Sequence, residues 1–342
     1  MLKKINSNIK QKVMNKTSLK NSLPWFVTLV CVVVVVVLVY IGIEQNNKPY
    51  ICSSILMGNK SKQTVFGENS KKATEKVKDE ISRLEETLSY EIKDSDIERL
   101  NSNAGSKWIK SSDLTVGVLE KVISIAKRTH GIFDPTCLKI IKLYGLNSNF
   151  ISTPKRSELL EAVESINYRK IKIERDSWRI MLADSNLSVT LEPILNGAAC
   201  QKAIEIYQNC NLSWGSISIG NVTGVYNSES SKRKFIVPIM HDGKSIASAE
   251  MESGFVASSG IKLNNNEKSK IINSKTGEIK ENTRPIYVFH SDGVVSCVLS
   301  YVCALLEINE ISDILNYYGA EAILIENQKI MPIFFQKEKI NS

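Results

Sequence analysis

No acidic residue precedes Glu44, and that absence governs how the N-terminal region reads. Lys3, Lys4, Lys10, Lys12, Lys16 and Lys20 stand ahead of Pro24 to Ile43, an uncharged run reading PWFVTLVCVVVVVVLVYIGI. A run of about 20 apolar residues crosses the hydrocarbon layer as a helix. Lipid forces that helix even on valines that would form a strand in water, because no other local structure pairs the backbone. Trp25 and Tyr40 stand near its ends, where interfacial aromatics belong, and lysines on one side keep the N-terminus cytoplasmic. Small residues are missing where a signal peptidase would cut: Tyr40-Ile-Gly-Ile-Glu-Gln has no A-x-A pattern. Cys52 also lies too far past the run for a lipoprotein cysteine, so an uncleaved anchor is favoured over a cleaved signal peptide. The expected division is a basic cytoplasmic tail (1–23), a transmembrane helix (24–43) and an extracytoplasmic domain (44–342), in the cell membrane with a single pass.

Other scarcities narrow the function. The chain has seven cysteines and no C-x-x-C pair, which argues against a zinc ribbon or a disulfide-dense mini-domain. Six of them fall beyond the span, and small buried hydrophobes are the plainer reading than disulfides. Its three histidines, His130, His241 and His290, are scattered, and His130 is read as a turn residue. Taking the six tail lysines from the formal charge of +8 leaves +2, an ordinary surface with no case for nucleic acid. Internal repeats are absent, and no second domain boundary interrupts the remainder.

What is present gathers between Leu88 and Thr136. Ser112 or Asp113 can cap a helix with Leu114, Val118, Val122 and Ile125 on its buried face. It ends on Gly131-Ile-Phe-Asp-Pro-Thr136, where Gly131 is free to take positive φ and Pro135 restricts Asp134 to extended backbone. Elsewhere Ile51 to Phe66 reads as a strand pair bent at Met57-Gly58-Asn59, and Glu68 to Thr87 as an amphipathic helix. A helix is expected over Ser157 to Ile166 and a hairpin over Lys170 to Ile173 and Trp178 to Leu182. Leu212 to Val225 reads as strand, turn and strand; Phe235 to Met240 and Ser245 to Met251 as further strands of the same sheet; Gly254 to Gly260 as a turn. Ile286 to Ile325 reads as strand, helix, helix, strand. Helices and strands mix without strict βαβ alternation, in keeping with an α+β domain.

Ser89, Ser95-Asp96, Arg99-Leu100-Asn101 and Gly131 to Thr136, in this order and spacing, resemble the FAD:protein FMN transferase family. Weaker matches are Met57-Gly58-Asn59, Leu143-Tyr144-Gly145, Gly220-Asn221, Ala257 to Gly260 and Thr276-Gly277. The resemblance implies a single α+β, T-fold-related domain that moves FMN from FAD to a threonine of a target protein with Mg²⁺. It also implies FAD contacts at Ile132, Phe133, Asp134, Gly220, Asn221 and Thr276, and a flavinylated redox protein as partner at the outer membrane face. For Asp134 a second reading, that it caps its own turn, stands equally.

The family's reaction stations are substituted. Where it has a metal-binding A-D-A-L-[Ala or Ser]-T helix, this chain reads Ser296-Cys-Val-Leu-Ser-Tyr301, placing a thiol and a phenol where hard oxygens belong. Thr190, Glu192, Pro193, Asn196 and Gln201 replace acids, glycines and a lysine of a second motif, and Lys270 replaces a histidine. No catalytic or metal residue is therefore assigned. The resemblance leaves two functions: a membrane-anchored transferase with impaired or lost catalysis, or a non-catalytic flavin- or partner-binding protein of a membrane redox assembly.

Overall fold

The computed structural model describes residues 28, 30–35, 48–146, 152–261, 271–280, 283–326 and 329–334. The chain divides into two units, 1–49 and 50–342. In the first, Thr28 and residues 30–35 are helical. The tail 1–23 and most of the expected span 24–43 lie outside the described residues, among which no helix is long and apolar enough to cross a membrane.

The second unit opens with strands β1 (Tyr50–Leu56) and β2 (Asn59–Phe66), then helices α1 (Ser70–Leu88) and α2 (Asp96–Ser102). Strand β3 (Ile109–Lys110) leads into α3 (Asp113–Arg128), α4 (Leu138–Tyr144) and α5 (Arg156–Glu164). Strands β4 (Ile171–Glu174) and β5 (Arg179–Leu182) precede α6 (Leu195–Asn209). There follow β6 (Trp214–Ile219), β7 (Val222–Asn227), β8 (Phe235–His241), β9 (Lys244–Met251) and β10 (Gly254–Ser259). The chain closes through β11 (Ile271–Ile272), β12 (Ile279–Lys280), β13 (Ile286–His290), α7 (Gly293–Leu305), α8 (Ile308–Tyr318), β14 (Glu321–Glu326) and β15 (Lys329–Ile333).

An eight-stranded antiparallel sheet, ordered β1-β2-β6-β7-β10-β13-β14-β15, divides the unit into two layers. Period-two alternation decides which residues face which layer. Ile217, Ile219, Phe255, Ala257, Ile286 and Val288 point to one side, into a core shared with α1, α6 and α7. Trp214, Val225, Val256, Tyr287 and Ile325 point to the other and meet Phe235, Val237, Ile239 and Met251. This second core corrects one sequence expectation: β8 and β9 are not strands of the main sheet but a separate two-stranded ribbon lying on its face. A second correction is that residues 254–259 are a strand paired on both sides, with β7 and β13, and only Gly260 (φ 74°) turns.

The other strands and helices expected between residues 51 and 325 hold in outline. Ser112 caps α3 through the Thr115 N–H, and Val118, Val122 and Ile125 are buried while Leu114 is half-buried. The β4–β5 hairpin gains β3 as a third strand, unforeseen in the sequence. Helix α6 and strand β15 were also not expected. All seven cysteines are unpaired, and Cys137, Cys200, Cys297 and Cys303 are buried.

Candidate functional site

The Ser-Asp and Arg-Leu-Asn stretch is spent on joints. Ser95 caps α2 by accepting from the Glu98 N–H at 2.9 Å and donates its hydroxyl to the Ser89 carbonyl at 2.5 Å. Asp96 accepts from the Ser112 N–H (2.7 Å), the Thr115 hydroxyl (2.6 Å) and Arg99. Burial pulls the Asp96 pKa upward, but these bonds outweigh it and hold the carboxylate below its ordinary range. Asn101 pairs like a strand neighbour, donating to the Val189 carbonyl (2.9 Å) and accepting from its N–H (2.7 Å). One short segment thus ties α2 to the end of α1, to the start of α3 and to the approach to α6.

The turn at 131–136 is held just as completely. Gly131 takes φ 81°, and the exposed His130 before it also has positive φ, 52°. Asp134 Oδ1 accepts from the N–H (2.9 Å) and hydroxyl (2.7 Å) of Thr136, while Oδ2 accepts from the Tyr168 N–H (2.9 Å). Burial raises the Asp134 pKa, and the bonds from Thr136 and Tyr168 oppose it. Of its two readings, the geometry supports the cap of its own turn, since both oxygens are engaged within the protein. The Ser274 N–H donates to the Ile132 carbonyl (3.0 Å) and the Ser274 hydroxyl accepts from the Asp134 N–H (3.2 Å), which fastens the turn to the β11–β12 hairpin. Thr276 is exposed at that hairpin's tip, where its hydroxyl accepts from the Glu278 N–H. Phe133 is buried and meets the Tyr301 ring edge-on at 5.3 Å.

Helix α7 carries Tyr301 into this junction. Its phenol accepts from the Ile272 N–H (2.7 Å) and donates to the Ile272 carbonyl (2.9 Å), bracketing one residue of β11. A turn earlier, the Cys297 thiol donates to the Pro193 carbonyl (3.4 Å), and burial pushes its pKa up to about 12. Ser300 donates to the Cys297 carbonyl and pairs with the Ser259 hydroxyl at 2.9 Å. A magnesium site needs hard oxygens free to turn toward the ion. This helix face offers a protonated thiol and a phenol already committed to backbone, so the residues present do not fit the ion. Among the described residues no three His, Cys, Asp or Glu side chains gather into a metal-sized group.

Amides occupy the neighbouring corner. Asn196, at the start of α6, donates to Asn221 (3.1 Å) and accepts from Asn59 (3.4 Å), and Asn221 donates to the Ser258 carbonyl (2.9 Å). Gly220 turns beneath them with φ 54°, and a methyl there would stand 2.6 Å from the Asn196 amide nitrogen. The β1–β2 turn, the β6–β7 turn and the end of β10 therefore meet at one end of the sheet through side-chain amides. Glu192 turns away from it, accepting from Ser89 at 3.2 Å. Gln201 accepts from the Gly293 N–H (2.9 Å) and so helps cap α7. Lys270 lies outside the described residues.

The structure thus places the six expected contacts in two groups. Ile132, Phe133 and Asp134 lie with the β11–β12 hairpin, which also bears the exposed Thr276, on the helix side. Gly220 and Asn221 border a cavity of about 340 Å³ on the ribbon side, between β8–β9 and the sheet. Ser218, Thr223 and Ser258 line it with hydroxyls; Val237, Met240 and Val256 line it with apolar surface. Tyr287, also in its wall, accepts from the Met240 N–H (2.6 Å) and donates to the Met240 carbonyl (3.1 Å). Nothing in the sequence marks this cavity, because the ribbon that roofs it alternates like a strand of the sheet.

Comparison with known proteins agrees with this architecture. The ApbE family model matches residues 57–324. A curated FAD:protein FMN transferase of Treponema pallidum is 22% identical over 153 residues, 43% of this chain and 42% of that protein. The aligned part is therefore less than half the length of that relative. The crystal structure of the ApbE protein from Thermotoga maritima superposes with a TM-score of 0.75 at 19% identity, covering 83% of this chain and 97% of that one. The flavin transferase ApbE from Vibrio cholerae gives 0.72 at 17% identity, covering 83% and 96%.

Proposed function

Because the chain belongs to the ApbE family, whose model spans most of it, we propose that it is a membrane-tethered member in which FMN transfer is lost and binding remains. The activity named for the Treponema relative sets the standard of comparison. Moving FMN from FAD to a threonine breaks a pyrophosphate, with attack by the hydroxyl and departure of AMP. It requires positioned phosphates, neutralised charge and a base for the hydroxyl.

One observation carries the reading: Tyr301 and Cys297 are each bonded to backbone inside the protein, where the family resemblance calls for metal ligands. Around them Asn196 and Gln201 are amides and Pro193 has no N–H to offer a phosphate. The tether is proposed from sequence: residues 1–23 cytoplasmic, 24–43 through the bilayer and 44–342 outside, where a redox protein would be the partner.

The test is co-expression with a threonine-bearing flavinylation target, followed by target mass and AMP release, with an active transferase as control. No flavinylated target is expected. Cys297→Asp combined with Tyr301→Thr is also expected to stay inactive, since the 190–201 segment still misplaces the pyrophosphate. Transfer by the unmodified chain at a rate near that of the control would defeat the proposal; transfer only by the double variant would confine the loss to α7.

A further inference from the structure

The main sheet is covered unequally on its two faces. On the helix side Gln63 and Val65 of β2 are fully buried. On the ribbon side the apolar layer ends, toward β1, at Phe66 and Trp214, whose rings stack at 5.5 Å. Past that stack the same face of β1 and β2 is bare. Ile51 pairs with Thr64, Ser53 with Lys62 and Ile55 with Lys60, and residues directly opposite in an antiparallel pair share a face. Ile51 and Ile55 are 56% and 66% exposed, and Lys60 and Lys62 are exposed beside them. An aliphatic row thus runs along the edge strand with a basic row one strand further in. Left in water, an apolar edge strand invites unwanted pairing.

Two observations say what covers it. The first is charge. From Lys48 to Gly67 the chain carries three lysines and no acid. A lysine lays its stem along apolar surface and reaches an anion beyond it with its ammonium, which suits the phosphates of a lipid headgroup layer. The second is reach. Seven peptide steps separate Ile43, the end of the proposed span, from Tyr50, the first residue of β1. Fully extended, they cover at most about 25 Å. The bare face therefore begins within that distance of the point where the chain leaves the bilayer. Pairing two β1 edges from separate copies would cover the strand edge, but would leave the lysines on β2 in water.

We propose that the bare face of the β1–β2 hairpin docks on the anionic phospholipid surface around the chain's own anchor. Ile51 and Ile55 sit among the headgroups, and Lys60 and Lys62 meet lipid phosphates. The proposal rests on the reading of residues 24–43 as a bilayer span, and adds that the domain is held to the lipid by a face as well as by its tether.

The experiment places the full-length chain, one copy per disc, in lipid nanodiscs of phosphatidylcholine alone or mixed with phosphatidylglycerol. Exposed amines are then acylated with a water-soluble reagent and read residue by residue by mass spectrometry. Lys60 and Lys62 are expected to react about fivefold more slowly in the anionic discs and to recover in about 0.5 M salt. Lys76 on α1 and Lys172 on β4 should react alike in both discs. Ile51→Ser combined with Ile55→Ser should restore the reactivity of Lys60 and Lys62 in anionic discs, with an unchanged melting temperature showing a folded chain. Equal rates in both discs, slowing shared by Lys76 and Lys172, or undiminished protection in the double variant would overturn the proposal. So would protection that needs two copies per disc and appears in neutral lipid as well, which would assign the face to a second copy of the chain. A chain that does not enter discs refutes the span and the docking together; one that enters without selective protection refutes the docking alone.

Discussion

Glu192 shows how far one substitution has moved the chemistry. Burial raises its pKa, the Ser89 bond opposes this, and Glu91 and Glu85 add to the rise. The folded state therefore holds the proton more readily than the unfolded chain does. Stability from that proton is complete below the unfolded value of 4.5 and is lost as pH climbs through the raised native value. Glu192→Gln keeps an acceptor for Ser89 and removes the loss. Its melting temperature should exceed the parent's at about pH 7 and converge with it at about pH 4; thermal scans across that range decide it. Tyr301→Phe makes the opposite change. It strands the N–H and carbonyl of Ile272, a buried residue, and should cost about 1–3 kcal/mol in urea unfolding, since unpaired buried backbone is penalised more than a lost bond alone. An unchanged midpoint would mean water replaces the phenol.

Among the elements, the α6–α7 crossing leaves no room for an added methyl. A methyl on Gly197 would run into the Gly293 carbonyl oxygen, and one on Gly293 into the Gly197 carbonyl at 2.5 Å. Gly197→Ala should therefore cost about 1–3 kcal/mol by overpacking. Gly117, inside α3, has nothing within 4 Å of its missing methyl. Gly117→Ala should be neutral or gain up to about 1 kcal/mol from helix propensity, and chemical denaturation of the two variants side by side checks both. The same crossing explains why α6 was not legible in the sequence. Leu195, Ala199, Ala203 and Ile206 share one face of it, but Gly197, Ala198 and Ile204 are buried on the others, so no single apolar stripe marks it. Helix α1 was legible because Ala73, Val77, Ile81 and Leu84 keep one face. The β8–β9 ribbon alternates as a sheet strand would, and only its partners across the layer reveal it as separate. At the site, the Asp134 turn and the altered Cys297 and Tyr301 were readable as residues. What they bond to was not, since Pro193 and Ile272 are distant in sequence and take part through backbone atoms.

At the scale of the whole molecule, the proposed division between membrane and domain is open to direct measurement. The full chain is expected in the membrane fraction after an alkaline wash, and a version lacking residues 1–43 in the soluble fraction. Protease added to intact cells should reach the outer domain; a mature N-terminus beyond Ile43, or protection until lysis, would refute the topology. Within the folded unit, the two tyrosine brackets fall on opposite faces of the sheet, Tyr287 on the ribbon and Tyr301 on the β11–β12 hairpin. Each phenol covers a single amide, that of Met240 or of Ile272. In deuterated solvent those two amides exchange only when their own phenol swings aside, so each serves as a clock for its own flap. A ligand held under the ribbon would slow the Met240 clock and leave the Ile272 clock running at its old rate.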